Sequence, residues 1–163
     1  MAFFKNLFKK EDSAETNDKT VVAPVEGTLV SNDQISDPVF AQEMMGKTIA
    51  FEPKNGQVVS PANGVLEVVF PSGHAFAVRM SDGTGILVHI GINTVSLDGK
   101  GFEKLANQGD TVKAGQPIVN VDLDTVKEAG FPVTTMLIVT ENPTNREFNY
   151  KSVTEVKAGE TLL

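Results

Sequence analysis

From Thr20 onward no apolar run reaches helical length before Gly, Pro, Asn or Asp cuts it off. TVVAP, GTLV, KTIAFEP, GQVVSP, GVLEVVF, HAFAVRM, GILVHIGI, PIVNVD and TTMLIVT are all short and rich in Val, Ile, Thr or Phe. Such runs bury one face as strands, not as helices. The pattern predicts an all-β chain, an antiparallel β-sandwich or barrel with a few short helical turns. Asp37 before Pro38 reads as an N-cap with proline at the first helical position, opening a short helix over VFAQEMM. One further turn is expected at Phe102–Asn107 and another at Asp124–Ala129, stopped by Gly130. At 163 residues the length suits roughly one domain.

Two echoes suggest duplicated hairpin units packed face to face. VVAPVEGTLV and VVSPANGVLE share V-V-x-P-x-x-G-x-L, and TVKAGQPI and EVKAGETL share V-K-A-G. The P-x-x-G and A-G glycines read as turns where a Cβ would clash. Swinging-arm carrier domains hold a lysine at a comparable hairpin tip. Here Lys113 is followed by Ala-Gly, with no M-K-M or D-K-A tripeptide, which argues against that reading.

Residues 1–19 stand apart as a flexible tail before a domain spanning 20–163. Phe4, Leu7 and Phe8 fall on one face of a helical wheel, with Lys5, Lys9 and Lys10 around it. This predicts an amphipathic surface helix at 1–10 that contacts an anionic membrane, against a plain frayed tail. Residues 11–19 read as linker. The formal charge of −7 excludes nucleic acid as a partner, since phosphates repel such a chain. With no cysteine there is no disulfide scaffold, thiolate metal site or catalytic thiol. No apolar stretch approaches the roughly 20 residues of a membrane span.

Only two histidines occur, His74 in PSGHAFAV and His89 in GILVHIGI. The hairpin signal SDGTG lies midway between them. It places the two imidazoles near opposite positions on adjacent antiparallel strands, while a one-residue slip would turn one of them to the other face. A lone histidine in an apolar strand is commonly a core residue bonded to backbone. A pair that is the chain's whole complement points to chemistry instead. One neutral imidazole can act as nucleophile through one nitrogen while the other donates to a carbonyl. The second can stabilise charge on a transferring group, so phosphoryl relay fits the pair. No H-x-x-x-H spacing is present. Zinc held by His74, His89 and a carboxylate from elsewhere, with hydrolase chemistry, is a further reading that lacks an evident third ligand.

GHAFAV, followed by S-D-G-x-x-I-L-V-H-I-G-I-N-T-V-x-L-x-G-x-G-F, resembles the glucose-type IIA component of the bacterial sugar phosphotransferase system. V-x-A-P-V-x-G, D-P-V-F-A, S-P-A-N-G-V-L and G-D-T-V-K-A-G-Q-P-I extend the likeness over the whole domain. The resemblance implies a phosphocarrier, hence a phosphotransferase component, with a duplicated β-sandwich fold. His89 would accept a phosphoryl group from phospho-HPr and pass it to a cysteine on the IIB domain of a sugar permease. His74 would bind the phosphoryl oxygens, and Ser72 would hydrogen-bond His74. Val39, Phe40, Phe70, Leu87 and Ile90 would form an apolar ring for docking and water exclusion. Asp37 would face the basic surface of HPr. No cofactor is implied beyond zinc shared by His74, His89 and a partner's carboxylate. The resemblance further implies a monomeric, cytoplasmic, stand-alone protein, tethered to the inner membrane face through its tail. As an alternative it implies a regulatory module whose partners depend on phosphorylation. It does not name the sugar. Two departures stand out. Asn93 occupies a position where the family often has Asp, which weakens steering toward HPr. MMGKTIAF places Lys47 and Thr48 where an acidic turn is usual, bringing a positive charge near the docking face.

Overall fold

The computed structural model describes residues 17–163. The predicted surface helix at 1–10 and most of the predicted linker lie outside the described residues. Among the described residues no helix is long and apolar enough to cross a membrane.

Eleven antiparallel strands form two sheets among the described residues. They are β1 (Gly27–Val30), β2 (Lys47–Pro53), β3 (Gln57–Val59), β4 (Gly64–Val69), β5 (Ala75–Arg79), β6 (Gly85–Ile90), β7 (Phe102–Lys104), β8 (Thr111–Val112), β9 (Pro117–Val121), β10 (Thr135–Glu141) and β11 (Glu155–Val156). The large sheet runs β11-β1-β2-β10-β6-β5-β4-β8 and the small one β3-β9-β7. The main core fills the space between them. Phe51, Leu66, Phe76, Ile86, Val88 and Leu137 meet Val58, Ile118, Val119 and Val121 there. A second cluster, including Ile35, Phe40, Ala50, Leu87, Met136 and Ile138, covers the outer face of the large sheet beneath residues 31–46. The period-two alternation of β6 explains both clusters: Ile86, Val88 and Ile90 point inward while Leu87 and His89 point outward.

The sequence echoes are a structural two-fold. Val22 N–H donates to the Pro61 carbonyl at 2.8 Å, and Val59 N–H to the Pro24 carbonyl at 2.8 Å. Gly27↔Val156 and Thr28↔Glu155 in one half match Gly64↔Val112 and Val65↔Thr111 in the other. The Gly159 and Gly115 turns meet on the axis, where a Cβ on Gly159 would lie 3.8 Å from the Gly115 Cα. At the opposite end the axis passes between β6 and β10, where Ile90↔Thr135 and Ile86↔Val139 exchange roles. The halves differ most in the chain before their second strand. Residues 31–46 form a long excursion after β1, whereas only a tight turn separates β4 from β5.

That excursion contains α1 (Pro38–Ala41), capped as expected by the Asp37 side chain, which accepts from the Val39 N–H at 2.9 Å. The helix is shorter than VFAQEMM because Glu43 turns left-handed at φ 55°. Its carboxylate accepts from the Thr48 N–H at 2.7 Å and ties the loop to β2. Helix α2 (Leu123–Glu128) matches the predicted turn, with Gly130 at φ 91° just beyond it.

Three expectations are corrected. Phe102–Asn107 is not a helical turn: Phe102–Lys104 is β7, recruited by β9 through Phe102↔Val121. TVVAP contributes only an isolated bridge, Val22 to Thr161, because Pro24 interrupts the ladder. The A-G glycines are turns, with Gly115 at φ 89° and Gly159 at φ 86°. The P-x-x-G glycines are instead points of close approach at strand starts. A Cβ on Gly27 would lie 2.1 Å from the Glu52 carbonyl oxygen, and one on Gly64 2.2 Å from that of Arg79.

Candidate functional site

The two histidines meet on the outer side of the large sheet. Their ring centroids are 5.2 Å apart, with the planes edge to face at 80°. The register is one residue off direct opposition, since Ala75, not His74, pairs with His89. His74 lies just before β5 and after Gly73, which has φ 78°. It is therefore free of the strand's alternation, and its ring reaches His89 although strict pleating would turn it away.

Each ring has a defined partner. The Ser72 hydroxyl hydrogen-bonds Nδ1 of buried His74. His89 Nδ1 lies 2.9 Å from the Gly91 carbonyl oxygen. A carbonyl only accepts, so His89 holds its proton on Nδ1 and its lone pair on Nε2. Gly91 adopts φ 78°, and its own N–H donates to the Thr134 carbonyl at 2.9 Å. Burial pushes His89 down to about 4, and the His74 imidazole adds to this; the Gly91 hydrogen bond and the charge of Asp37 act in the opposite direction. Burial also lowers His74. Both rings are therefore neutral at neutral pH, as a nitrogen nucleophile must be.

Aromatic side chains flank the pair. Phe40 of α1 packs on His89 at 4.9 Å between centroids, and Phe70 meets His74 edge-on at 5.2 Å. Leu87 is buried with Phe40 in the outer cluster. Val39 at 37 % and Phe70 at 38 % relative exposure present apolar surface to solvent. Ile90 does not join this ring: it points into the main core, because it follows His89 on a pleated strand. Asp37 caps α1 with one carboxylate oxygen and acts on His89 through its charge.

Asn93 is exposed and left-handed at φ 60°, a conformation that asparagine tolerates well. Lys47 is not beside the imidazoles. It pairs with Val139, three residues along β2 from Ala50. Ala50 lies across Met136 from His89, so Lys47 is two strands over and roughly 10 Å along the sheet.

Residue-by-residue reading missed Gly91, whose carbonyl anchors the His89 ring, and Thr94, buried beneath it. It also missed Met44, Met45 and Val95, exposed apolar side chains next to α1 and after the His89 turn. The signal for Gly91 was its place two residues after His89, within reach of Nδ1. Among the described residues, no group of three His, Cys, Asp or Glu is arranged to hold a metal.

Comparison with known proteins extends this picture. Residues 19–145 match the family model described as phosphoenolpyruvate-dependent sugar phosphotransferase system, EIIA 1. The PTS system glucose-specific EIIA component of Oceanobacillus iheyensis is 41 % identical over 160 residues, covering 98 % of this chain and 96 % of that protein. The PTS system glucose-specific EIICBA component of Staphylococcus carnosus is 40 % identical over 143 residues, 88 % of this chain and 21 % of that protein. The solved structure of glucose permease IIA from Mycoplasma capricolum matches with a TM-score of 0.83 at 38 % identity, covering 88 % of this chain and 92 % of that one.

Proposed function

Because the chain belongs to the EIIA 1 family of the phosphoenolpyruvate-dependent sugar phosphotransferase system, we propose that His89 is the residue on which it carries the phosphoryl group. One observation bears most of the weight: the Gly91 carbonyl holds the His89 proton on Nδ1, leaving Nε2 as the nucleophile. In the first step the Nε2 lone pair attacks phosphorus on the phosphohistidine of HPr. A new N–P bond forms as the donor's N–P bond breaks, and that electron pair returns to the HPr imidazole. In the second step a IIB cysteine thiolate attacks the same phosphorus and His89 leaves as neutral imidazole. The relative whose name joins EIIC, B and A in one chain supports IIB as the acceptor.

His74 supports the transfer. With the Ser72 hydroxyl donating to Nδ1, its proton sits on Nε2 and is offered to the phosphoryl oxygens, where charge develops. Phe40 and Phe70 keep water from the phosphoramidate, while Val39 gives partners an apolar footing. The glucose-specific names of the relatives support glucose as the sugar class. Zinc fits here only with outside help: two imidazoles supply two ligands, and a partner's carboxylate would complete the set.

The test is phosphate transfer. Incubation with phosphoenolpyruvate, enzyme I and HPr adds one acid-labile phosphoryl group to the wild type and none to His89→Ala, read by intact mass. His74→Gln still accepts the group but fails to hand it to IIB. Phosphorylation of His89→Ala at wild-type stoichiometry would overturn the assignment.

A further inference from the structure

The nucleophile's orientation rests on one carbonyl, and that carbonyl lies in a turn that the ladder of β6 does not hold. Two backbone bonds hold the turn from one side: Gly91 N–H to the Thr134 carbonyl at 2.9 Å and Ile92 N–H to the Pro132 carbonyl at 3.1 Å. From within, the turn is held by Thr94, whose side chain is fully buried. Its hydroxyl donates to the Ile90 carbonyl at 2.5 Å, at the head of the turn. Its methyl lies under Gly91, so close that a Cβ there would come within 2.4 Å of Cγ2. A single side chain thus grips the residues on both sides of the Ile90–Gly91 peptide. Asn93 and Val95, on either side of it, are exposed.

We propose that Thr94 is a positioning residue for His89: by gripping the Ile90–Gly91 turn from inside, it keeps the Gly91 carbonyl on Nδ1 and so keeps the lone pair on Nε2. Threonine is suited to both halves of the task. Valine keeps the methyl but loses the donor, and serine keeps the donor but loses the methyl. Without the hydroxyl, the turn can rotate the Gly91 carbonyl off the ring. His89 is then free to move its proton to Nε2, which blocks the attacking nitrogen.

The reading of tautomer stands by itself; the kinetic consequence rests on His89 being the phosphoryl acceptor. The experiment therefore has two arms on the full, unphosphorylated chain. Imidazole nitrogen NMR at pH 7.5 reads the tautomer of His89 in the wild type, Thr94→Ser, Thr94→Val and Thr94→Ala. Phosphoryl uptake from phospho-HPr is then timed for each. The wild type and Thr94→Ser keep the proton on Nδ1. In Thr94→Val the Nε2–H form rises about fivefold, the worth of one buried hydrogen bond, and uptake slows in proportion to the Nδ1–H share lost. Thr94→Ala serves in the same way if the valine variant does not fold. Wild-type tautomer populations in the folded Val or Ala variant would overturn the proposal. So would a serine variant as disturbed as the alanine one. A wild type that takes up no phosphoryl group would instead sink the assignment of His89, and the NMR arm would still decide the role of Thr94.

Discussion

Lowering the pH tests the environment of His89 without any partner protein. Burial beside a second imidazole holds its folded-state pKa at about 4, whereas an unfolded histidine titrates at about 6.5. A depressed folded value means that the native state refuses the proton that the unfolded chain accepts. The stability contributed by the neutral ring is complete above pH 6.5. It is lost progressively as pH falls from 6.5 toward 4 and does not change further below that. At pH 5 the unfolded imidazole is almost wholly protonated and the folded one is not, which costs about 2 kcal/mol relative to pH 7.5. Carboxylates and His74 titrate over overlapping ranges, so the measurement is a difference. Urea unfolding of wild type and His89→Gln is followed at pH 7.5, 6 and 5, and the gap between their stabilities is plotted against pH. The gap should shift by about 2 kcal/mol toward the variant by pH 5. Parallel pH dependences would mean that His89 is solvated enough to titrate normally.

Two further outcomes follow from the geometry. Gly64→Ala forces a Cβ to within 2.2 Å of the Arg79 carbonyl oxygen; it should cost about 2–3 kcal/mol and lower the melting temperature by roughly 6–10 °C in a calorimetric scan. Ser72→Ala removes the hydroxyl that hydrogen-bonds the His74 ring and should slow phosphoryl transfer to IIB about tenfold while leaving the melting temperature within a few degrees; unchanged transfer in rapid-quench kinetics would show that His74 needs no orienting hydroxyl.

Much of this was legible from short-range signals. The runs KTIAFEP and GILVHIGI became β2 and β6 because their apolar residues match the pleat and their ends are closed by turn formers. Asp37-Pro38 opened a helix because capping is local chemistry. The misses were decided by partners distant in sequence. Strand β7 is only three residues long and exists because β9 offers a ladder. Strands β8 and β11 are two residues each, below any periodic signal. The glycines of P-x-x-G looked like turns because a close approach by a neighbouring strand leaves the same mark on sequence as a positive φ. At the site, pairing the histidines about a central turn was sound to within one residue. That residue would have separated the rings had Gly73 not released His74 from the strand. Ile90, placed in the apolar ring by the resemblance, is sent inward by the alternation of its strand.

The two-fold described above leaves the molecule laid out like a symmetric dimer written on one chain, and its second half is instructive. The axis that exchanges Ile90↔Thr135 with Val139↔Ile86 carries His89 onto Ile138, which is fully buried beneath the excursion at 31–46. The same excursion sends Phe40 across to the His89 imidazole. One half is thus covered on its outer face, and its cover walls the site of the other. Among the described residues the two-fold therefore pairs one histidine-bearing face with one covered face. If His89 carries the phosphoryl group, as proposed, donor and acceptor must use the same face in turn, each leaving before the other arrives.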